Sequence, residues 1–358
     1  MAESDQLTVA TRRYIRENPK LVDSVFQRDA LLSYARRNVQ ETFDGGRLIQ
    51  EDIIYDGLHG GAYAKGADFN INEKQIEEGL QFNIRRFYVN ITMSKEDIQV
   101  ENKGRAAIFK LIDSRMQAAY MTLGAHMAIS IYLNGQNAGY TNNFNGLAEA
   151  LNDGSTNSWD GNTYTTYGGL TRGGKVGTTI NSVPVNVAGV IEYNAMEEQY
   201  GNASYGSTEY EPNLGLTTQL GYSYIKSKFQ TQQRFNDTQD PNIGFNGMKF
   251  NSATLVKSRY SPGTYISGTS DPIAVEYLTT SSNGAVTAYP TLTAETLWWL
   301  NARTPFFSFY VTNDPEFGFG FTGFKPAQGN TKVAGQVLAS CAVTFQPRYH
   351  LQMYGITG

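Results

Sequence analysis

Between Arg105 and Leu133 the chain has no proline and carries apolar residues at three- and four-residue steps. Ile108, Leu111, Ile112, Met116, Ala119, Leu123, Met127 and Ile131 fall on one stripe, which predicts an amphipathic helix with Asn134-Gly135 as its stop. At 1.5 Å per residue it is roughly 43 Å long. A helix of that length outside a coiled coil suits the backbone of a large domain. Upstream, residues 7–43 also carry helical spacing, in Leu21, Val25, Leu31, Leu32 and Val39, and Gly45-Gly46 closes the stretch.

The pattern changes after Gly46. Arg47 to Tyr55 reads as a rising strand and Phe82 to Ser94 as a returning one, with Phe87, Val89, Ile91 and Met93 alternating against Tyr88, Asn90, Thr92 and Ser94. Between them, YDGLHGGAYAKGADF (55–69) contributes Gly57, Gly60, Gly61 and Gly66. An isolated two-stranded hairpin is marginal in water, so this arm requires cover from outside itself. Its glycines do not form a phosphate cradle. Lys65 is followed by Gly66 and Ala67, not by the hydroxyl residue that would hold Mg²⁺, and no helix pattern follows. GLTRGGKVGTT (169–179) fails the same test, because Val176 follows Gly174-Lys175, and it reads as a flexible loop.

Downstream the pattern gives a short helix at Gly146 to Leu151 and another over Val187 to Tyr200. Strands then dominate: LGLTTQ (214–219), MKFNSATLVKS (248–258), SFYVT and QVLASCAVTF. Residues 259–293, rich in Ser, Thr, Gly and Pro, read as an inserted surface loop. Strands returning from distant parts of the sequence make the fold class α+β.

Composition narrows the function. Of 358 residues only 17% are charged while 13% are aromatic, with 23 Tyr and 19 Phe, a balance that fits extensive protein–protein contact or a Tyr-rich β protein. A net charge of −4 provides no basic field for nucleic acid. Cys341 is the single cysteine, so there is no disulfide framework, and no apolar run is long enough to span a membrane. The N-terminal residues lack a signal-peptide core, which predicts a protein kept in a reducing cytoplasm. His59, His126 and His350 have no metal-ligand partner at short spacing, and no activated-serine motif occurs. The carboxylate pairs Glu77-Glu78 and Glu197-Glu198 read as solvated surface, and Trp298-Trp299 as core or subunit contact. No catalytic set, cofactor or metal is predicted.

The order of the parts resembles the major capsid protein of tailed bacteriophages, the fold named for phage Hong Kong 97. Lys103, Gly104, Arg105 and Ala106 lead into the long helix as the family's basic-glycine motif does. Tyr167, Gly168, Gly169, Leu170 and Arg172 resemble its segment after the spine helix. PNLGLTTQLGYSYIKSKFQTQQRF and IGFNGMKFNSATLV are similar to two elements of its axial domain, with Met248 for the usual Leu and Asn251-Ser252 where Gly is common. ASCAVTFQPRYHLQMYGITG resembles its ending. Together these motifs cover residues 20 to 358. Two features depart from the pattern: the 259–293 insertion is long, and no coiled-coil scaffolding extension precedes the arm.

The resemblance implies an N-terminal arm and helix (1–44), an extended loop (45–103), and a peripheral domain with the spine helix (104–145, completed by about 296–335). An axial domain (146–295, completed by about 336–358) follows. It further implies a non-enzymatic coat protein that assembles as hexamers and pentamers into an icosahedral head. Such a shell encloses double-stranded DNA without sequence-specific binding and without a membrane, in the virion and, during assembly, the host cytoplasm. A separate scaffolding protein, a portal and a decoration protein are the implied partners. The loop would lie over a neighbouring subunit, with Tyr55, His59, Tyr63, Lys65, Phe69 and Lys74 at the interface, while Ile108, Leu111, Ile112, Leu123 and Met127 pack the spine helix. Some relatives join loop and neighbour through a Lys–Asn isopeptide, but no Asn or Glu here matches that role. An encapsulin-like compartment shell, or more distantly a β-rich carbohydrate-binding or hydrolytic protein, stands as the alternative.

Overall fold

The computed structural model describes residues 29–94, 105–136, 140–204, 209–229, 237–239, 246–267, 292–326 and 331–358, with Val25 and Glu96. Within 105–110 the helical backbone alone is described. The side chain of Ile108 therefore lies outside the described residues, as do Leu21, Lys103, Gly104 and most of the 259–293 insertion.

The long helix runs Arg105–Tyr132. Along its first described turns Ile112, Met116, Ala119 and Tyr120 are buried, Leu111 packs half-buried beside them, and Arg115, Gln117 and Met121 face solvent. From Leu123 to Leu133 the stripe widens to the whole circumference, with His126 the one partly exposed residue. A helix apolar all round is a buried one. The amphipathic expectation describes the first half; the second half is enclosed. Gly146 shows how tightly: a Cβ there would sit 2.3 Å from the Ile131 carbonyl oxygen and 2.5 Å from that of Leu133.

Two sheets make the enclosure. The first is built on the 14-residue strand Lys332–Phe345. Arg85–Ser94 pairs with it antiparallel along one side. Phe307–Thr312, Gly318–Phe321 and Lys325–Pro326 pair along the other, and Gln40–Phe43 adds in parallel to Phe307–Thr312. Phe87, Ile91 and Met93 of Arg85–Ser94 are buried, and the Phe87 ring meets Phe144 at 4.9 Å. The second sheet has seven strands in the order Val185–Val190, Leu351–Thr357, Glu295–Leu300, Leu214–Thr217, Ala253–Lys257, Asn246–Phe250 and Asp237–Gln239.

In that second sheet every residue of Glu295–Leu300 is buried, so both faces of the strand are covered. Successive side chains of a strand point to opposite faces. Trp298 accordingly joins the main core, its ring 5.8 Å from that of Tyr132 near the end of the long helix, and its indole N–H donates to Ser261 Oγ at 3.0 Å. Trp299 joins a second core on the other face, edge-on to Tyr200 at 5.5 Å and stacked on Phe250 at 5.1 Å. Helices Tyr193–Ala203 and Gln219–Phe229 cover that face. The tandem tryptophan is core.

Several expectations change. Helix among the described residues of the first 43 is Val25 and Ala30–Asn38, with Gln40–Phe43 a strand. The first turn of Ala30–Asn38 is capped by Asp29, whose carboxylate accepts the Leu31 N–H at 3.0 Å. Val187 to Tyr200 divides into strand Val185–Val190 and helix Tyr193–Ala203, because Val185, Asn186, Gly189 and Val190 pair with Leu351–Thr357. Residues 248–258 make two strands around Asn251, which sits at φ 50° in the turn. The Gly-rich 169–179 segment contains helix Gly174–Ile180 and is pinned by the buried Arg172, whose guanidinium donates to the carbonyls of Asn152, Glu149, Ala150 and Ile180. Burial pushes that guanidinium down to about 10. Glu295–Leu300 belongs to the seven-stranded sheet, and Lys332–Phe345 belongs wholly to the first, since its pairing partners lie there.

Leu123 has no exposed surface. Leu123→Asp would place an uncompensated charge in the core at a cost of several kcal/mol. The variant is expected in the insoluble fraction, or without a cooperative thermal transition by circular dichroism. The control Gln117→Asp, on the solvent side, should leave both unchanged.

Candidate assembly surface

The loop between the rising and returning strands has a stem and a tip. Leu48–Ile54 pairs antiparallel with Glu77–Asn83 in unbroken register. The stem is anchored in its own body. Ile53, Leu80 and Phe82 are buried, and the Phe82 ring meets Tyr167 at 5.3 Å. Gly168 (φ 54°) lies against Leu80, where a Cβ would come within 2.8 Å, and its carbonyl accepts the Gln81 N–H at 2.8 Å. Glu51 Oε1 accepts from the hydroxyls of Thr344 and Tyr310, and burial raises this carboxyl above the usual range.

This arrangement corrects the reading of the return limb. Phe87, Val89, Ile91 and Met93 are not the bare face of a projecting hairpin. They belong to Arg85–Ser94, inside the first sheet, and the limb that returns beside the rising strand is Glu77–Asn83.

The tip, residues 55–76, has no regular secondary structure. At its base Asp56 forms ion pairs with Lys74 at 2.9 Å and Lys175 at 2.5 Å, and these two ammonium groups, Lys175 foremost, hold its carboxyl well below the usual range. Lys74 also donates to the Gly57 carbonyl at 2.7 Å, and the Tyr55 hydroxyl donates to the Gln75 carbonyl at 3.1 Å. Beyond this clamp the chain is exposed, His59 and Lys65 included. Leu58 is 74% exposed, Tyr63 70%, Phe69 65% and Ile71 89%. Tyr63 and Phe69 touch edge-on at 5.1 Å. Of the six loop residues expected at an interface, Tyr55 and Lys74 thus serve the clamp, while His59, Tyr63, Lys65 and Phe69 sit on the open tip. The sequence reading missed Asp56 and Lys175, whose pairing spans loop and helix. Leu80 and Phe82 were legible, as alternating apolar residues in EEGLQFN.

The remaining chemistry candidates are dispersed. Cys341 is buried in the strand Lys332–Phe345. His126 lies on the long helix, and Glu197 accepts from the Asn251 side-chain amide. Buried His350 is locked between two backbone groups, Nδ1 accepting the Asn301 N–H at 3.0 Å and Nε2 donating to the Phe306 carbonyl at 2.9 Å. Among the described residues no three of His, Cys, Asp and Glu gather as a metal site, and no helix is long and apolar enough to cross a membrane.

No protein-family model and no curated protein sequence matches the chain. Solved structures do. The cyanophage A-1(L) capsid asymmetric unit superposes with a TM-score of 0.57 at 10% identity, over 92% of each chain. The holo-SrpI encapsulin complex from Synechococcus elongatus PCC 7942 gives 0.56 at 8% identity, over 90% of this chain and 86% of that one. The capsid of a native GTA particle gives 0.53 at 7% identity, over 91% of each. At such identities the likeness is one of fold. The architecture shared with these structures is an α+β one, with two sheets around a long helix. It is the Hong Kong 97-like fold.

His350 makes a pH prediction. Burial holds its imidazole down at about 4, from an ordinary 6.5, so it is neutral in the folded chain. Between those values the unfolded chain binds more protons, so stability is full above about pH 6.5 and falls as pH drops toward 4, by up to about 1.4 kcal/mol per unit. Buried Asp29 and Glu51, whose carboxyls are raised by burial, act in the opposite sense in acid. The informative quantity is therefore a difference. Urea midpoints should fall between about pH 7.5 and 5 in the wild type, and fall less in His350→Gln. An equal fall in both would remove His350 as the source.

Proposed function

We propose that the chain is the major capsid protein of a tailed double-stranded DNA bacteriophage. In this reading it is a structural, non-enzymatic subunit that self-assembles into hexamers and pentamers of an icosahedral head around the genome, working with a separate scaffolding protein and a portal. The observation that carries the reading is the loop. An anchored stem holds out a tip whose four large apolar side chains are mostly bare. Monomeric proteins rarely leave such residues grouped in solvent, and their grouping marks a contact surface. Among the described residues nothing covers the tip, and in this reading another copy does. The fold shared with capsid structures supports the same conclusion. The net charge of −4 suits a container that does not grip DNA.

A second reading, an encapsulin-like compartment, is favoured by the comparable TM-score of 0.56 to the encapsulin complex. Electron microscopy of the purified protein, with assay of particle contents, separates the two: packaged nucleic acid favours a phage head and a protein cargo favours a compartment.

The stem and tip predict different deletions. Removing the stem would take Ile53, Leu80 and Phe82 from the core and unfold the body. Replacing residues 57–73 with a short Gly-Ser linker keeps the stem and the Asp56–Lys74 pair. That variant should be soluble, with near-native circular dichroism, and should fail to form closed shells or form ones that dissociate at lower denaturant. Particles of undiminished thermal and denaturant resistance would remove the loop's assembly role.

A further inference from the structure

We propose that Asp44-Gly45, at the root of the loop, is a site of spontaneous covalent modification that converts the chain there to its isoaspartyl form. The chemistry is intramolecular and holds whether or not the chain forms a shell. The Gly45 nitrogen attacks Asp44 Cγ, so a C–N bond forms and a Cγ–O bond breaks. That oxygen leaves as water, taking the glycine N–H proton and the carboxyl proton. Water then reopens the succinimide ring. Attack at Cγ restores aspartate, while attack at the main-chain carbonyl of Asp44 leaves a free α-carboxylate and routes the backbone through Cγ. No electrons are gained or lost, and water is the only co-reactant. Ring closure therefore requires a proton on the departing oxygen, a glycine nitrogen free to attack, and room for the two to turn toward each other.

Four Asp-Gly pairs occur in the sequence, led by Asp44, Asp56, Asp153 and Asp160, and the fold shields three of them. Asp56 is ionised between Lys175 and Lys74. Its other oxygen accepts the Gly57 N–H at 2.8 Å, which points the nitrogen at oxygen and away from Cγ. Each unit by which a carboxyl is lowered removes about tenfold of its protonated form, so the low-lying Asp56 seldom carries the proton that closure needs. Asp153 accepts the N–H groups and hydroxyls of Ser155 and Thr156 at 2.6 to 2.9 Å. The Gly154 N–H donates to Asn152 Oδ1 at 2.8 Å, so that nucleophile is already bonded. Asp160 is held by the Tyr164 hydroxyl and by the Asn162 N–H at 3.1 Å. Burial raises the Asp160 carboxyl, which alone would favour closure, but the Gly161 N–H is taken by the Ser158 carbonyl at 2.9 Å.

Asp44-Gly45 lacks these restraints. Both residues are exposed. Among the described residues the side chain of Asp44 has one partner, the Asn313 amide, which donates to Oδ1 at 3.2 Å, and no cation pairs with it. None of the described residues accepts the Gly45 N–H. Nothing lies within 4 Å of the position a Gly45 Cβ would take. Gly45 and Gly46 sit at φ 151° and 121°, backbone that glycine adopts at no steric cost, so the attacking nitrogen belongs to a stretch without side chains. The place matters to the fold. Asp44 directly follows strand Gln40–Phe43, and residues 45–47 lead from it into the stem strand Leu48–Ile54. Asn313 holds this crossing, for its N–H also donates to the Phe43 carbonyl at 3.2 Å. Conversion inserts a methylene into the main chain and moves the carboxylate away from the Asn313 amide, so the crossing from strand to stem is lengthened and released.

The test is to age the intact protein at neutral pH and label it with protein isoaspartyl methyltransferase and radioactive S-adenosylmethionine. Tryptic peptides and electron-transfer fragmentation then map the label, and residues 38–47 form one such peptide. Label in that peptide should exceed label at Asp56 by at least about tenfold, with Asp153 and Asp160 likewise low. Asp44→Glu, whose longer side chain would have to close a larger ring, should abolish it. Two further samples read the shielding itself. In urea all four sites should label comparably, and in folded Lys74→Gln/Lys175→Gln the label should rise at Asp56 and stay low at Asp153 and Asp160. A folded chain that labels Asp44 no more than the other three, or not at all, would overturn the assignment. So would an unchanged ranking of the four sites in urea, since sequence and not structure would then set it.

Discussion

The body depends on hiding a helix segment with no polar side. From Leu123 to Leu133 the long helix offers almost nothing to water, so its surroundings must come from everywhere else in the chain. Phe87 arrives from the first sheet's edge strand, Trp298 from the second sheet, and Phe144 and Gly146 from the turn that follows the helix. The same end of the helix collects a polar knot. Tyr132 donates to Ser258 at 2.9 Å, and Ser258 and Tyr132 both donate to Asp29, the residue that caps helix Ala30–Asn38. Burial raises the Asp29 carboxyl, and hydrogen bonds from Ser258, Tyr132 and the backbone of Leu31 and Ala30 offset some of that cost. Segments far apart in sequence are thereby joined at one carboxyl group.

Legibility in the sequence followed locality. The long helix was legible because its first half obeys a 3.6-residue period, and Leu123 and Met127 continue that period into the enclosed half. The alternation of Phe87 to Met93 showed a strand but not its partner, because the pairing strand Lys332–Phe345 lies at the other end of the chain. Reading that strand as the arm's own return was therefore natural, and wrong. Trp298-Trp299 could not be assigned from pattern, since a strand buried on both faces shows no alternation. The helix Gln219–Phe229 was hidden by its β-like neighbours, and Val187 sat in an apolar stretch that both periods tolerate.

The candidate site was half legible for the same reason. Glycine density marked the tip without any knowledge of the fold. The clamp at its base joins Asp56 to Lys175, and the stem rests on Gly168, contacts between segments that no local pattern connects. Local pattern tests Lys175 only as a phosphate ligand. Its actual partner is a carboxylate on another element, which is a common use for an exposed lysine beside an acidic loop.

One connection in the chain bears on mechanics. Only Ile84 separates the stem strand from Arg85, the first residue of the sheet strand. A pull on the tip therefore has no slack to take up before it reaches the sheet. Arg85–Ser94 is held to Lys332–Phe345 over ten consecutive residue pairs. Tension along the strand loads that whole ladder in shear, so its bonds share the force instead of breaking in succession. The projecting loop is in this sense rooted along the grain of the sheet, so a load on it runs into the body without unzipping the strand that carries it.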